Sequence, residues 1–113
     1  MTDATQPSDS VLVHGHIQWG SGDLPLDRLT ALAAAVQASH PGNRYYRFSI
    51  DAEDPQRFYL NEAWESLGDF TGHGVLPETV EIGAVVRSGA TDVQLNMHQL
   101  SSSRPIPFAL QQR

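Results

Sequence analysis

The chain has 113 residues, no cysteine, and 13 acidic against seven basic residues, a net charge of -6. That length suits one domain, and its acidic balance argues against phosphate-backbone binding, which needs a basic patch. The missing thiols exclude disulfides, thiolate nucleophiles and iron–sulfur ligation, and no apolar run is long enough to span a bilayer.

Residues 1–10, MTDATQPSDS, lack a basic residue and an apolar core, so they read as a flexible leader and not a signal peptide. The expected location is therefore the cytoplasm. From Val11 to Trp19 the pattern alternates: Val11, Val13, Gly15, Ile17 and Trp19 share one face of a strand, and Leu12, His14, His16 and Gln18 the other. GSGD makes a turn, and Pro25 suits the first turn of a helix, where its missing N–H is no loss. LDRLTALAAAVQASH then sets Leu26, Leu29, Leu32, Ala33 and Val36 on one stripe, and His40-Pro41-Gly42 stops the helix. NRYYRFSID and QRFYLNEAWE read as a hairpin around AEDP. Ser66 is placed to cap a short helix over LGDFTGH, with Phe70 inward and Gly74 at its end. VLPETVEIGAVVRSG fits a helix opened by Pro77, although its β-branched residues also tolerate a strand. In TDVQLNMHQL, Val93, Leu95 and Met97 alternate with Gln94, Asn96 and His98. The tail, 101–113, carries Pro105, Ile106, Pro107 and Phe108, an apolar set for a free end.

This βαββαβ order over residues 11–100 predicts an α+β sandwich of ferredoxin-like type, one antiparallel sheet with helices on one face. If the uncovered face carries apolar and aromatic side chains, a second copy is the economical cover, so a homodimer is expected.

One strand holds the sharpest anomaly. Phe58, Leu60, Glu62 and Trp64 share a face, which sets a carboxylate among apolar neighbours. Glu62 either pairs with an arginine such as Arg44 or Arg47, or keeps a raised pKa and serves as an acid or base. Trp64 is a pocket wall or a core aromatic whose indole N–H finds a carbonyl. His73 ends the short helix, where an imidazole either abstracts a proton or complements the helix dipole. Asn61 faces away from Trp64, toward the dimer side. His14, His16 and His98 fall on one face of neighbouring strands, a set that zinc or iron could use, but no acid obviously completes it. The reading adopted is no metal, with His14 or His16 as a pocket wall or a base. Tyr46 is a pocket residue or an amphipathic side chain at a sheet edge.

Several of these residues occur together in an order that resembles the antibiotic biosynthesis monooxygenase domain of the dimeric α+β barrel superfamily. They are Pro41-Gly42, Tyr46, Asp51, Glu53-Asp54-Pro55, Arg57-Phe58, Glu62-x-Trp64-Glu65-Ser66 and His73. Gly74-Val75-Leu76-Pro77 departs from the Ser-Pro-x-Phe stretch common in that family. The resemblance implies a homodimer with a pocket in each monomer, and a cofactor-independent oxidation of a phenol or hydroquinone by molecular oxygen. On that reading His73, Glu62 and Trp64 are the catalytic candidates, and Phe58, Leu60, Phe70, His14, His16 and Tyr46 bind the small aromatic substrate. Two alternatives stay open: a haem-binding or haem-degrading monooxygenase, and a non-catalytic dimeric protein that binds a small ligand. No nucleic acid or membrane enters any of the three.

Overall fold

A computed structural model of the chain describes residues 6, 7 and 9–106, with side chains from residue 9 onward. Most of the leader, together with Pro107 and Phe108 of the tail, lies outside the described residues. In chain order the elements are β1 (Gln6–Pro7), β2 (Val11–Trp19), α1 (Leu26–Ser39), β3 (Asn43–Ile50), β4 (Arg57–Trp64), α2 (Leu67–His73), α3 (Pro77–Gly89), β5 (Ala90–Gln99) and β6 (Ser102–Ser103).

Four strands form one antiparallel sheet in the order β3-β4-β2-β5, the ferredoxin-like arrangement expected. The ambiguous segment is the helix α3, and it passes into β5 at Ala90 without a loop. Alternation places Val11, Val13, Ile17 and Trp19 of β2 and Phe58, Leu60 and Trp64 of β4 toward the helices. There they meet Leu29, Ala33 and Val36 of α1 and Ile82 and Val85 of α3 in a single core. One feature was not anticipated: Gln6 and Pro7 pair with Ser103 and Ser102, so the segments flanking the main sheet meet each other. The Leu100 N–H donates to the Ser10 carbonyl 2.9 Å away and starts that closure.

The uncovered sheet face is mixed, with Leu12, Tyr45 and Tyr59 among mostly polar side chains. His14 meets His98 Nε2 to Nε2 at 2.9 Å, His16 lies 3.4 Å from Asp92, and Asn61 and Arg47 are exposed beside them. Exposed apolar side chains lie instead on the helix side of the edge strand β5, where Val93, Leu95 and Met97 are 40–47% exposed. The helices stop short of this edge.

Gly15 carries the closest backbone approach in the sheet. Its φ is +158°, and a Cβ there would fall 1.8 Å from the Gln94 carbonyl oxygen of β5. Any side chain must push β5 away. Gly15→Ala is therefore expected to cost on the order of 3 kcal/mol in urea denaturation. Gly72→Ala, at an open helical position, should change stability by less than about 1 kcal/mol.

Candidate active site

The site begins with register. Glu62 sits opposite Val13 of β2 and Tyr46 of β3, so its side chain rises from the middle of the sheet toward the helices and is only 4% exposed. Neither Arg44 nor Arg47 reaches it; both are exposed. Its partners are aromatic. The Trp64 indole Nε1–H donates to Glu62 Oε1 at 2.7 Å, and His73 Nε2 stands 3.6 Å from the same oxygen. The indole thus finds a carboxylate where a carbonyl was one expectation.

His73 arrives through α2. The Ser66 hydroxyl accepts the Asp69 N–H at 3.0 Å and starts a helix of two turns, and the Glu65 N–H, bound to the Gly42 carbonyl at 2.8 Å, fixes its entry. Two turns bring His73 back over Trp64, with ring centres 4.2 Å apart and planes 30° apart. It is 6% exposed, so it is more than a helix cap. His73 Nδ1 contacts the Phe70 carbonyl oxygen, which can only accept, so the proton of neutral His73 sits on Nδ1. The lone pair of Nε2 is left facing Glu62.

Burial sets the electrostatics. It raises the Glu62 carboxyl to about 7, against a smaller opposing effect of the indole donor. Burial lowers the His73 imidazole, the Phe70 carbonyl partly restores it, and nearby His40 lowers it further. The Tyr46 phenol is pushed up by burial and by the Glu62 charge, so it stays protonated at neutral pH. Near neutrality the cavity holds a carboxyl balanced between its two forms beside a neutral imidazole.

Glu62, His73 and Tyr46 form the polar inner end of a cavity of about 510 Å³. Val13, Ile17 and Leu60 line it from the sheet, Phe48 and Phe70 close one side, and Ile82 and Val86 cover it from α3; Leu95 and Met97 lie at the β5 edge. Leu60, Phe70 and Tyr46 are thus wall residues as expected. Phe58 and Trp64 are not: both are buried behind the wall in the core. Trp64 borders a smaller recess of about 210 Å³ with His40, Gly42 and Leu76, and His73 divides that recess from the main cavity.

His14 and His16 lie on the opposite side of the sheet, in a separate depression with Tyr59 and Asn61, and have no part in this cavity. Strand alternation decides this, because their neighbours Val13 and Ile17 point to the helices. Haem ligation by His73 does not fit either, since Nδ1 is held by Phe70 and Nε2 faces Glu62. Among the described residues no group of three His, Cys, Asp or Glu gathers at one point. Residues of α3 were missed. Thr79, Ile82, Gly83, Val86 and Arg87 all line the cavity, and their i, i+3, i+4, i+7, i+8 spacing was the signal that marks one helix face.

The displaced titrations give a stability prediction. Glu62 has a folded pKa above its ordinary 4.5, so the unfolded chain releases this proton first. Stability is therefore lost as pH rises from about 4.5 to 7, by on the order of 3 kcal/mol. His73 acts in the opposite sense, because its depressed pKa costs stability as pH falls through 6.5. A comparison with Glu62→Gln separates the two, since His73 is common to both proteins. Glu62→Gln should match the wild type near pH 4.5 and exceed it by up to about 3 kcal/mol at pH 8 in urea unfolding. A pH-independent difference would contradict the assignment.

The sequence profile of the antibiotic biosynthesis monooxygenase family matches residues 13–81, which includes Glu62, Trp64 and His73. No curated protein matches significantly. Among solved structures, a candidate antibiotic biosynthesis monooxygenase from Deinococcus radiodurans is similar with a TM-score of 0.73 and 23% identity, over 85% of this chain and 97% of that one. SnoaB from Streptomyces nogalater, described as a cofactor-independent oxygenase, has a TM-score of 0.72 and 14% identity, over 89% and 100% of the two chains. A Bacteroides fragilis protein of unknown function, described as dimeric and ferredoxin-like, has a TM-score of 0.66 and 12% identity, over 84% and 100%. These three likenesses support the fold, and the profile match over more than half of the sequence supports something narrower: the chain belongs to the antibiotic biosynthesis monooxygenase family.

Proposed function

We propose that the protein is a cofactor-independent monooxygenase that oxidises a phenol or hydroquinone with molecular oxygen. The observation that carries this reading is the convergence of one desolvated carboxyl and one neutral imidazole on an otherwise apolar cavity. The description of SnoaB as a cofactor-independent oxygenase supports it.

A phenol with a free para carbon enters with its hydroxyl at the inner end. Glu62 in its ionised form takes the hydroxyl proton, and His73 Nε2 accepts a hydrogen bond from the resulting acid. Burial makes Glu62 the stronger base of the two near neutrality, while it weakens His73. The phenolate passes one electron to oxygen, and superoxide and phenoxyl radical combine at the para carbon. The proton held on Glu62 completes the hydroperoxide. Loss of the para hydrogen as a proton, with cleavage of the O–O bond, releases water and leaves the quinone. Phenol plus oxygen thus gives quinone plus water, and the substrate supplies all four electrons. Apolar walls keep solvent from the radical pair.

The working form in this proposal is a homodimer. The dimeric Bacteroides fragilis relative supports that, as does the exposed apolar stripe of β5. No helix among the described residues is long and apolar enough to cross a membrane, and the cytoplasm is the proposed compartment.

Oxygen uptake with a panel of naphthols and hydroquinones tests the activity. Uptake should exceed buffer autoxidation, and kcat/KM should rise with pH through about 7 as Glu62 ionises. Glu62→Gln should lose about 10²-fold or more of kcat/KM together with that inflection. An undiminished rate in Glu62→Gln would overturn the assignment of the base. In sedimentation equilibrium, the mass should be twice 12.4 kDa, and a monomer at micromolar concentration would refute the dimer.

A further inference from the structure

The cavity has a second pole. Arg87, in the last turn of α3, is the one cation that lines it, and it makes no ion pair or hydrogen bond among the described residues. Helix spacing explains why no acid answers it. Its i−4 and i−3 neighbours, Gly83 and Ala84, are uncharged, and α3 ends at Gly89, before any i+3 or i+4 position on the helix. Arg44 and Arg47 are also exposed without an acid partner among the described residues, but Arg87 is the one of the three that lines the apolar cavity.

A small residue lies under Arg87. The side chain folds back along α3, as helical side chains do, until the guanidinium lies over Gly83. A Cβ on Gly83 would stand 3.1 Å from Arg87 Nη1, so the guanidinium would have to give by a few tenths of an ångström. Gly83 also lines the cavity, so the seat opens onto the same space as Glu62. Thr79, which also lines the cavity, adds a buried hydroxyl that has no hydrogen-bond partner among the described residues. Thr79 and Gly83 are one helical turn apart, about 6 Å, and Thr79 and Arg87 about 12 Å. The walls between are apolar.

We infer that the substrate is an anionic hydroxyarene, a fused aromatic system that carries a carboxylate or comparable acid on the ring opposite the reacting hydroxyl, with the hydroxyl at Glu62 and Thr79 and the acid on Arg87. This rests on the cavity being the substrate site proposed above. Two fused rings hold such groups roughly 8 Å apart, between the two helical separations. Arginine suits the acid because its planar fork takes a carboxylate through two parallel hydrogen bonds. Among the residues that line the cavity, Arg87 is the cation available to an acid group.

Anaerobic calorimetry tests binding without turnover, with 5-hydroxy-2-naphthoate and its neutral methyl ester as probes. The acid should bind at least about tenfold more tightly than the ester, and added salt should weaken only the acid. Arg87→Gln should erase the preference of acid over ester, with its circular dichroism spectrum and urea midpoint reporting that it is folded; Arg87→Lys should restore part of the preference. Equal affinity of acid and ester in the wild type, absence of binding by either, or a preference that survives in Arg87→Gln would overturn the inference. Oxygen uptake is read separately with aerobic 5-hydroxy-2-naphthoate, whose carbon para to the hydroxyl is free. An Arg87-dependent preference without uptake would reject the oxygenase and keep the anion site, whereas uptake indifferent to Arg87→Gln would do the reverse.

Discussion

Burial of one carboxyl organises this molecule. Glu62 stands in the middle strand pair with apolar residues on either side, and an ionised carboxylate there costs several kcal/mol unless something answers it. The answer is incomplete. One indole N–H donates to it, and a neutral imidazole stands nearby, but no cation arrives. A paired arginine would have fixed the carboxylate as architecture with a low pKa. The partners actually present leave it close to the point where it gains or loses a proton at neutral pH. Structure that would otherwise be ordinary core packing therefore keeps a reactive group at the end of a cavity.

The surrounding elements can be understood by how they hold that arrangement. Trp64 is two residues from Glu62 on the same strand face, so its indole lies beside the carboxyl without any special turn. Its bulk is sealed in the core, where it supports His73 from beneath. The capped turn at Ser66 delivers His73, and the Phe70 carbonyl decides which ring nitrogen keeps the proton. These are positioning roles. The walls belong to other residues, and most of them come from β2, α3 and β5.

The fold was legible because its signals are local. Alternation in VLVHGHIQW and in QRFYLNEAWE fixed which side chains face the helices, and Pro25, Ser66 and Pro77 marked helix starts that the structure keeps. The polarity anomaly at Glu62 was equally plain. What could not be read was the partner of each face. His14 and His16 were placed in the pocket although their own alternation with Val13 and Ile17 sends them to the far side, and a strand's period gives faces without saying which one the helices cover. The polar dressing of that far side, with His14 against His98, depends on a diagonal contact between strands distant in sequence. Arg87 escaped notice for a different reason. A lone exposed arginine near a helix end is commonplace, and only the absence of an acid around it and the glycine under it give it meaning.

Chemistry follows from the contrast between the two ends of the cavity. At one end stand a desolvated carboxyl and a neutral imidazole, which the proposed reaction uses as base and support; along α3 a guanidinium lies against Gly83. Between them lie walls that offer no hydrogen bonds, which suits a flat aromatic body and protects a radical pair from water. The whole account depends on Glu62 titrating near neutrality inside the folded protein. A carbon-detected NMR titration of the Glu62 side-chain carboxyl measures that directly. The account predicts a midpoint near 7, and a midpoint at the ordinary value of 4.5 would contradict it.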